Sequence, residues 1–228
     1  MPEDTIWKKK LDFQKKSSKS RHVRPFNNFM FKSDLSYRLF LEIKKSIKDE
    51  ALFREAKSQF IISCITVFEV YFRDLFLVIF KLCTTDILER CKNILKNKFS
   101  LEDIIYVYSN NIEISDFISS FINFQNLQNI EKVFSAFLEK SFFDSLKGRE
   151  FKSRKSNGIP FKLKDDYYLD LKNFIELRHL VVHDYDMNLE INDDDLDKYY
   201  SELLLFITAS DVLIHQDFIE PHLKEEFK

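Results

Sequence analysis

An all-α fold is predicted by three features of this sequence. The chain contains only two glycines and four prolines among 228 residues, although the reversals of a β-sheet depend on such turn residues. Hydrophobic residues make up 45% of the chain, which suffices for one large core. Long segments also repeat apolar side chains at helical spacing. We therefore expect a single helical bundle with long central helices and no second domain.

The first two predicted helices belong to the centre of this bundle. Ser33 or Asp34 can cap a helix whose apolar positions recur as far as Ile47. The next helix extends from about residue 50 to Cys83 and becomes apolar on nearly every face in its second half. Four charged residues interrupt this apolar run, so a buried helix is favoured over a membrane span. Because no apolar leader opens the chain, we expect a cytoplasmic protein without membrane contact.

Capping residues predict several shorter helices in the middle of the chain and two helices near its end. The capping residues are, in order, Thr84 or Thr85, Ser100 with Asp103, Ser115, and Asn192. An uninterrupted helix is predicted from about residue 126 to Gly148. Another is predicted over residues 165–182, and the helix capped by Asn192 extends almost to Pro221.

The net charge of -2 conceals two basic segments. Residues 1–32 hold nine Lys or Arg against three acids, so we expect a basic tail there and a single domain over residues 33–228. Residues 147–164 contain both glycines and are predicted to form a loop. Both segments are either solvated linkers or surfaces for a polyanion such as RNA. The candidate RNA contacts in the second segment are Lys147, Arg149, Lys152, Arg154 and Lys155.

Arg178 is the residue that a purely structural bundle explains least well. Its neighbours one helical turn away are Phe174, Ile175, Val181 and Val182, all of them apolar. An arginine buried without a partner costs several kcal/mol. An acid or an anion must therefore meet the guanidinium.

Glu69 is the acid that the sequence offers. It lies among apolar residues of the long central helix, and Arg73 follows four residues later. One interpretation is a structural ion network of Glu69, Arg73 and Arg178. The other is that Arg178 faces a polar cleft and receives a phosphate group.

His183 lies five residues after Arg178, about 140° around an ideal helix. The two side chains therefore converge only if the helix frays at that point or if two subunits face each other. Histidine can accept and donate protons near neutral pH. Arg178 and His183 are thus candidates for acid-base catalysis on a phosphate ester.

At these residues the sequence resembles the HEPN superfamily, whose members are all-α domains that commonly dimerise and often act as metal-independent ribonucleases. The run RHLVVH, Arg178–His183, is similar to the R-X4-6-H signature, with His179 at a position that is often polar. Glu69 matches an acid on an earlier helix of the family. Through Tyr185 the stretch resembles the R-X4-H-X-Y form of HEPN toxins, in which that tyrosine can be adenylylated. The long multi-helix segment before the motif is more similar to the RiboL-PSP-like and Apea-like groups.

The resemblance implies an endoribonuclease that needs no metal or cofactor and acts at a cleft between two subunits. His183 would serve as general base or acid at the ribose 2'-hydroxyl and the leaving oxygen, while Arg178 would stabilise the phosphoryl charge. His179 would orient the substrate or bond to Asp184, and Glu69 would position Arg178 or act on His183. The implied partners are RNA, a second copy of the chain, and an antitoxin or sensor protein, with a role in host defence, abortive infection or toxicity.

Two other functions are considered beside this one. His179 and His183 are four residues apart and can ligate a metal with Asp184 or Asp186, although no third ligand follows in a recognised pattern. The same fold can also act as a dimeric scaffold, or bind RNA or nucleotide without cutting it. Nucleotide-driven and acyl-transfer enzymes have no support, because the sequence lacks a glycine-rich phosphate loop, a nucleophile elbow and a Cys/His dyad.

Overall fold

The computed structural model describes residues 24–83, 85, 89, 92, 99–152, 158–183 and 192–222. Most of these residues are helical, which confirms the all-α class, and the sheet is limited to two short strands. The elements are α1 (Pro25–Ser46), α2 (Glu50–Lys81), α3 (Leu101–Ser109), α4 (Ile114–Ser119), α5 (Leu127–Leu138), α6 (Phe142–Leu146), β1 (Glu150–Lys152), β2 (Pro160–Lys162), α7 (Tyr167–His183), α8 (Asp193–Ile214) and a π-helical segment (His215–Ile219).

Four long helices form a bundle around the core. They pack in the ring order α1, α2, α7, α8, and α8 closes the ring against α1. Helix α2 is the central member, because eleven of its residues are buried. This confirms the buried helix expected from about residue 50 onward. In the described part of the chain, no helix has both the length and the apolarity needed to cross a membrane.

Aromatic contacts set the register of α7, α8 and α2. The ring of Phe206 in α8 lies 6.2 Å from Phe68 and 5.9 Å from Phe72 in α2. Tyr167, the first residue of α7, stacks on the same Phe206 ring at 5.8 Å. The start of α7 is therefore level with residues 68–72 of α2.

Asp193, at the start of α8, ties together one end of the bundle. It forms ion pairs with Lys44 near the end of α1, at 2.8 Å, and with Lys57 near the start of α2, at 2.6 Å. Burial raises the pKa of the Asp193 carboxyl, but the hydrogen bonds from the two lysines outweigh it and lower that pKa overall. Helix α7 ends at His183 and α8 begins at Asp193, so the arginine-histidine motif lies toward this end.

Two ion pairs and an aromatic stack hold α7 to the chain around it. Asp170 of α7 is buried and accepts a hydrogen bond from Lys198 of α8 at 2.8 Å. Lys164, just before α7, donates to the buried Glu202 of α8. Phe174 and Tyr199 stack at 5.7 Å. These contacts position the helix that carries Arg178.

The first helix starts earlier than the sequence predicted. Helix α1 begins at Pro25, with Arg24 at the N-cap, so residues 25–32 of the expected tail are helical. Proline favours the first helical position because it has no N–H to leave unpaired. Ser33 is fully buried inside α1, and the expected cap at Ser33 or Asp34 is wrong.

Three further boundaries differ from the prediction. Glu113 occupies the N-cap position of helix α4 without a side-chain hydrogen bond, so Ser115 lies inside the helix. The helix expected to reach Gly148 is interrupted at Glu139, whose left-handed φ of 58° ends α5, and α6 restarts after Ser141. The expected basic loop contains the antiparallel hairpin of β1 and β2, in which Phe151 faces Phe161.

Two predicted caps are confirmed. Ser100 and Asp103 form the complete capping box of α3, and the Asn192 side chain accepts the Asp194 backbone N–H at the start of α8. Most residues of the helix expected after Thr84 or Thr85 lie outside the described residues, as do residues 1–23.

Candidate functional site

Helix α7 places Arg178 at the surface of the core. Phe174 and Ile175, one turn before the arginine, are buried, whereas Arg178 itself is only partly buried. Its Nε is enclosed and has no hydrogen-bond acceptor among the described residues. The described carboxylates form no ion pair with this guanidinium either. Arg178 therefore carries a buried donor that the described residues leave unsatisfied, on a side chain that is itself partly exposed.

His183 is still part of α7, because the helix extends through it. Arg178 and His183 are consequently about 140° apart around a regular helix and do not converge within one chain. His179 and His183 do converge, since their rings stack with centroids 6.2 Å apart. Both histidines are exposed. One chain thus presents two imidazoles together on one face and the guanidinium on another.

Glu69 has a different partner from the expected one. Its Oε2 accepts a hydrogen bond of 2.6 Å from Nε2 of Gln125, in the segment between α4 and α5. Among the described residues Glu69 and Arg178 form no ion pair. The sequence could not reveal Gln125 as the partner, because 56 residues separate it from Glu69.

The register of the bundle explains why Glu69 and Arg178 do not meet. Glu69 lies in the part of α2 that is level with Tyr167, at the start of α7. Arg178 is eleven residues further along α7, which corresponds to about 16 Å along the helix axis. Arg73, the third member of the predicted network, lies beside Asp74, with Nε and Oδ1 3.9 Å apart. The predicted network of Glu69, Arg73 and Arg178 is therefore not assembled within the chain.

His179 borders a groove of about 290 Å³ between α7 and the amide-rich segment before α5, which we call the His179 groove. Its lining residues are Asn123, Gln125, Asn126, Leu127, Gln128, Tyr168, Lys172, Ile175, Glu176 and His179. Five residues of α7 line the groove, and four of them have the spacing of one helical face, so the sequence predicts this stripe: Tyr168, Lys172, Ile175 and His179. The amide side chains that face it come from a remote segment and were missed.

A second depression, of about 490 Å³, continues from this groove. The two share Gln128 and Tyr168, and the second reaches Lys132 and Lys147. Its other lining residues are Glu131, Ser141, Phe143, Asp144, Asp165 and Tyr167. We call it the Lys147 depression. Acidic and basic groups are mixed along both surfaces.

The predicted RNA-binding cations do not share one surface. Lys147 lines the Lys147 depression, whereas Lys152 faces a cavity beside the π-helical segment. Arg149 makes a bidentate pair with Asp217, with N–O distances of 2.7 and 2.9 Å. Its charge is therefore neutralised within the chain. Arg154 and Lys155 lie outside the described residues.

The metal-ligating alternative concerns residues only partly described. Among the described residues, no three His, Cys, Asp or Glu side chains form a group that could hold a metal ion. Asp184, Tyr185 and Asp186 lie outside the described residues. Cys64 is buried in α2, and burial raises the pKa of its thiol, which disfavours the reactive thiolate.

Comparison with known proteins identifies no relative of this chain. A scan against models of protein families finds no match. A search of curated proteins and a search of solved structures likewise find none.

Proposed function

We propose that the protein is a metal-independent endoribonuclease that cleaves RNA where two copies of α7 meet. The observation that carries this proposal is the state of Arg178, whose sheltered Nε has no acceptor among the described residues. A phosphate group would supply that acceptor, since guanidinium and phosphate form strong charge-assisted hydrogen bonds. The R-X4-6-H resemblance at Arg178–His183 supports the same chemistry.

The dimer belongs to the proposal because the site is incomplete in one chain. Arg178 and His183 point in different directions on a helix that is regular through His183. In a symmetric pair of chains, each α7 would present the same surface to the other. Arg178 of one copy and His183 of the other could then flank a single phosphate.

In this site His183 would accept the proton of the ribose 2'-hydroxyl, or protonate the leaving oxygen. Attack of the 2'-oxygen on the adjacent phosphorus would break the bond to the leaving 5'-oxygen and produce a 2',3'-cyclic phosphate. Arg178 would stabilise the additional negative charge at phosphorus. His179 would contact the nucleotide beside the scissile bond, because it borders the His179 groove. A role in host defence, as an abortive-infection effector or a toxin, completes the proposal and is supported by the resemblance.

The decisive experiment is RNA cleavage by the purified protein in excess EDTA, with His183→Ala and His222→Ala beside it. His222 is the control because it is a histidine of the π-helical end that stacks on Phe218. Chelator-resistant cleavage that leaves cyclic phosphate ends, and that is lost in His183→Ala alone, is expected. Equal cleavage by both variants would exclude His183 as the acid-base group.

A non-catalytic binding or scaffolding module is the second candidate, and one observation favours it. Glu69, which the resemblance places in the catalytic group, is bonded to Gln125 and forms no ion pair with Arg178 among the described residues. In that case the protein would bind RNA or nucleotide through Arg178 and leave it intact. RNA that is retained but uncut in the same experiment would favour this function.

A further inference from the structure

A cavity of about 550 Å³ lies at the end of the bundle opposite to Asp193. It is enclosed by the start of α1, the second half of α2, the end of α8, the π-helical segment and β1. Its lining residues are Arg24, Pro25, Phe26, Asn27, Leu75, Val78, Lys152, Thr208, Asp211, Val212, His215, Gln216 and Ile219. We call it the Arg24 cavity. Its volume is in the range that small-molecule sites occupy.

The cavity is separate from the candidate ribonuclease site. Helix α8 connects the Asp193 end, toward which His183 lies, to His215 at the cavity. The 22 residues of that helix correspond to about 33 Å. A ligand in the Arg24 cavity would therefore not touch Arg178 or His183 of the same chain.

Apolar side chains form most of the cavity wall. The apolar side chains of the wall are Phe26 of α1, Leu75 and Val78 of α2, Val212 of α8 and Ile219 of the π-helical segment. A ligand that fills it must have an apolar body, because burying apolar surface is the main favourable term available there.

Two cations at the cavity have no acidic partner among the residues that the structure describes. Arg24 and Lys152 are exposed and form no ion pair with any described residue. Two nearby cations do have an acidic partner, since Arg149 and Lys140 both bond to Asp217. The cavity thus combines an apolar interior with two cations that no described acid pairs with.

Two ionisable side chains of the cavity wall lie close to partners within the chain. Asp211 accepts a hydrogen bond from Tyr71 at 3.4 Å, and His215 lies 3.1 Å from Glu220. Burial raises the pKa of the Tyr71 phenol, and the negative charge of Asp211 raises it further. The phenol therefore stays protonated and donates its hydrogen bond to the Asp211 carboxylate. Asp211 keeps its negative charge, but Arg24 and Lys152 outnumber it at the cavity, so the charge there favours an anionic ligand.

From these observations we propose that the Arg24 cavity binds a small organic anion. Its apolar body lies against Phe26, Leu75 and Val78, and its carboxylate or phosphate head faces Arg24 and Lys152. The π-helical segment is consistent with a ligand site, since π-helical turns are rare and concentrate at functional positions.

Three probes that share one alkyl chain test the proposal by titration calorimetry on the full-length protein: octanoate, octyl phosphate and 1-octanol. Octanoate or octyl phosphate should bind with a dissociation constant below about 1 mM, and 1-octanol about fivefold or more weakly. The stronger of the two anions identifies the head group. Equal binding of all three probes, or binding of none, would overturn the proposal.

Variants show whether the anion binds in the Arg24 cavity and distinguish this from nonspecific binding to basic side chains. Arg24→Gln and Lys152→Gln should each weaken anion binding about two- to fivefold, since exposed charge pairs are modest. Lys147→Gln is the matched control, because Lys147 belongs to the same basic segment but lines the Lys147 depression. Val78→Trp should abolish binding by filling the cavity. Unchanged affinity in a Val78→Trp protein that melts like the wild type would place the ligand elsewhere and refute the site.

Discussion

The imidazole rings of His179 and His183 stack 6.2 Å apart on one face of α7, and Arg178 leaves the helix in another direction. On a regular helix Arg178 is about 100° from His179 and about 140° from His183. The motif is therefore contiguous in sequence but divided in space. A second copy of the chain restores an arginine to each histidine, and the first two predictions follow from this division.

Val182→Glu is expected to weaken dimerisation. Val182 is an apolar residue that is 42% exposed directly beside His183, where the proposed interface lies. Two carboxylates brought together by symmetry would repel and lose hydration, so the dimer should dissociate at least about tenfold more readily. Sedimentation over a range of concentrations measures the effect. Ile159→Glu is the control, because Ile159 is 67% exposed near the hairpin. Weakening by Ile159→Glu alone would move the interface away from α7.

Arg178→Ala is expected to reduce RNA cleavage, whereas Arg149→Ala is expected to reduce stability. Removal of Arg178 should lower RNA cleavage about 100-fold or more with little change in unfolding free energy, because its Nε has no acceptor to lose within the described chain. Removal of Arg149 should lower the unfolding free energy by about 1–3 kcal/mol, because Asp217 loses its bidentate partner. Cleavage rates and urea denaturation of both variants test this. If Arg178→Ala were as destabilising as Arg149→Ala, Arg178 would be a structural residue.

The sequence predicts features that depend on interactions between residues close together in the chain. It fails for contacts between residues that are far apart in the chain. The helical class, the buried α2 and the caps at Ser100 and Asn192 depend on local spacing and local hydrogen bonds, and the structure agrees with them. The partner of Glu69 depends on the register between α2 and a segment 56 residues away, so the predicted pair with Arg178 is not formed within the chain. Similarly, the sequence does not distinguish Arg149 from its basic neighbours, because its partner Asp217 lies 68 residues away.

Tyr168→Ala is expected to weaken RNA binding. Tyr168 joins the His179 groove to the Lys147 depression and is 38% exposed, so a base can stack on its ring. Stacking on an aromatic side chain contributes about 1–3 kcal/mol per base, which corresponds to roughly five- to 150-fold in affinity. Fluorescence anisotropy with labelled single-stranded RNA and His183→Ala protein avoids cleavage during the measurement. Tyr108→Ala, at an 85% exposed tyrosine of α3, should bind like the parent. Equal affinities of all three proteins would remove the groove from the RNA path.

The unfolding free energy should fall below about pH 4. The pKa values of Asp193 and Asp217 are lowered in the folded chain, because hydrogen bonds from lysine and arginine partners outweigh the raising effect of burial. A carboxyl with a lowered pKa stabilises the folded state fully above its unfolded pKa, which is about 3.9, and this contribution is lost as pH falls through the folded pKa. Urea denaturation at pH 7 and pH 3 measures the difference. In Asp193→Asn and Asp217→Asn the proteins should be less stable at pH 7 and should lose less on acidification. An unchanged pH dependence in both variants would contradict this assignment.

Lys198→Met should destabilise the protein and reduce cleavage together, because Lys198 holds the helix that carries Arg178. Its Nζ is 2.8 Å from Oδ1 of Asp170, a side chain only 6% exposed, while Oδ2 of the same carboxylate has no partner among the described residues. Without the lysine, a buried carboxylate would be left unpaired, so the unfolding free energy should fall.

Asp170→Leu combined with Lys198→Met removes both charges and shows which effect dominates. Leucine can pack against the buried surroundings of Asp170, so the double variant should be more stable than Lys198→Met alone. Cleavage should recover with stability if the pair acts only by fixing α7 against α8. A double variant that is stable but inactive would instead show that the Asp170–Lys198 pair sets the direction of Arg178, and that packing alone does not.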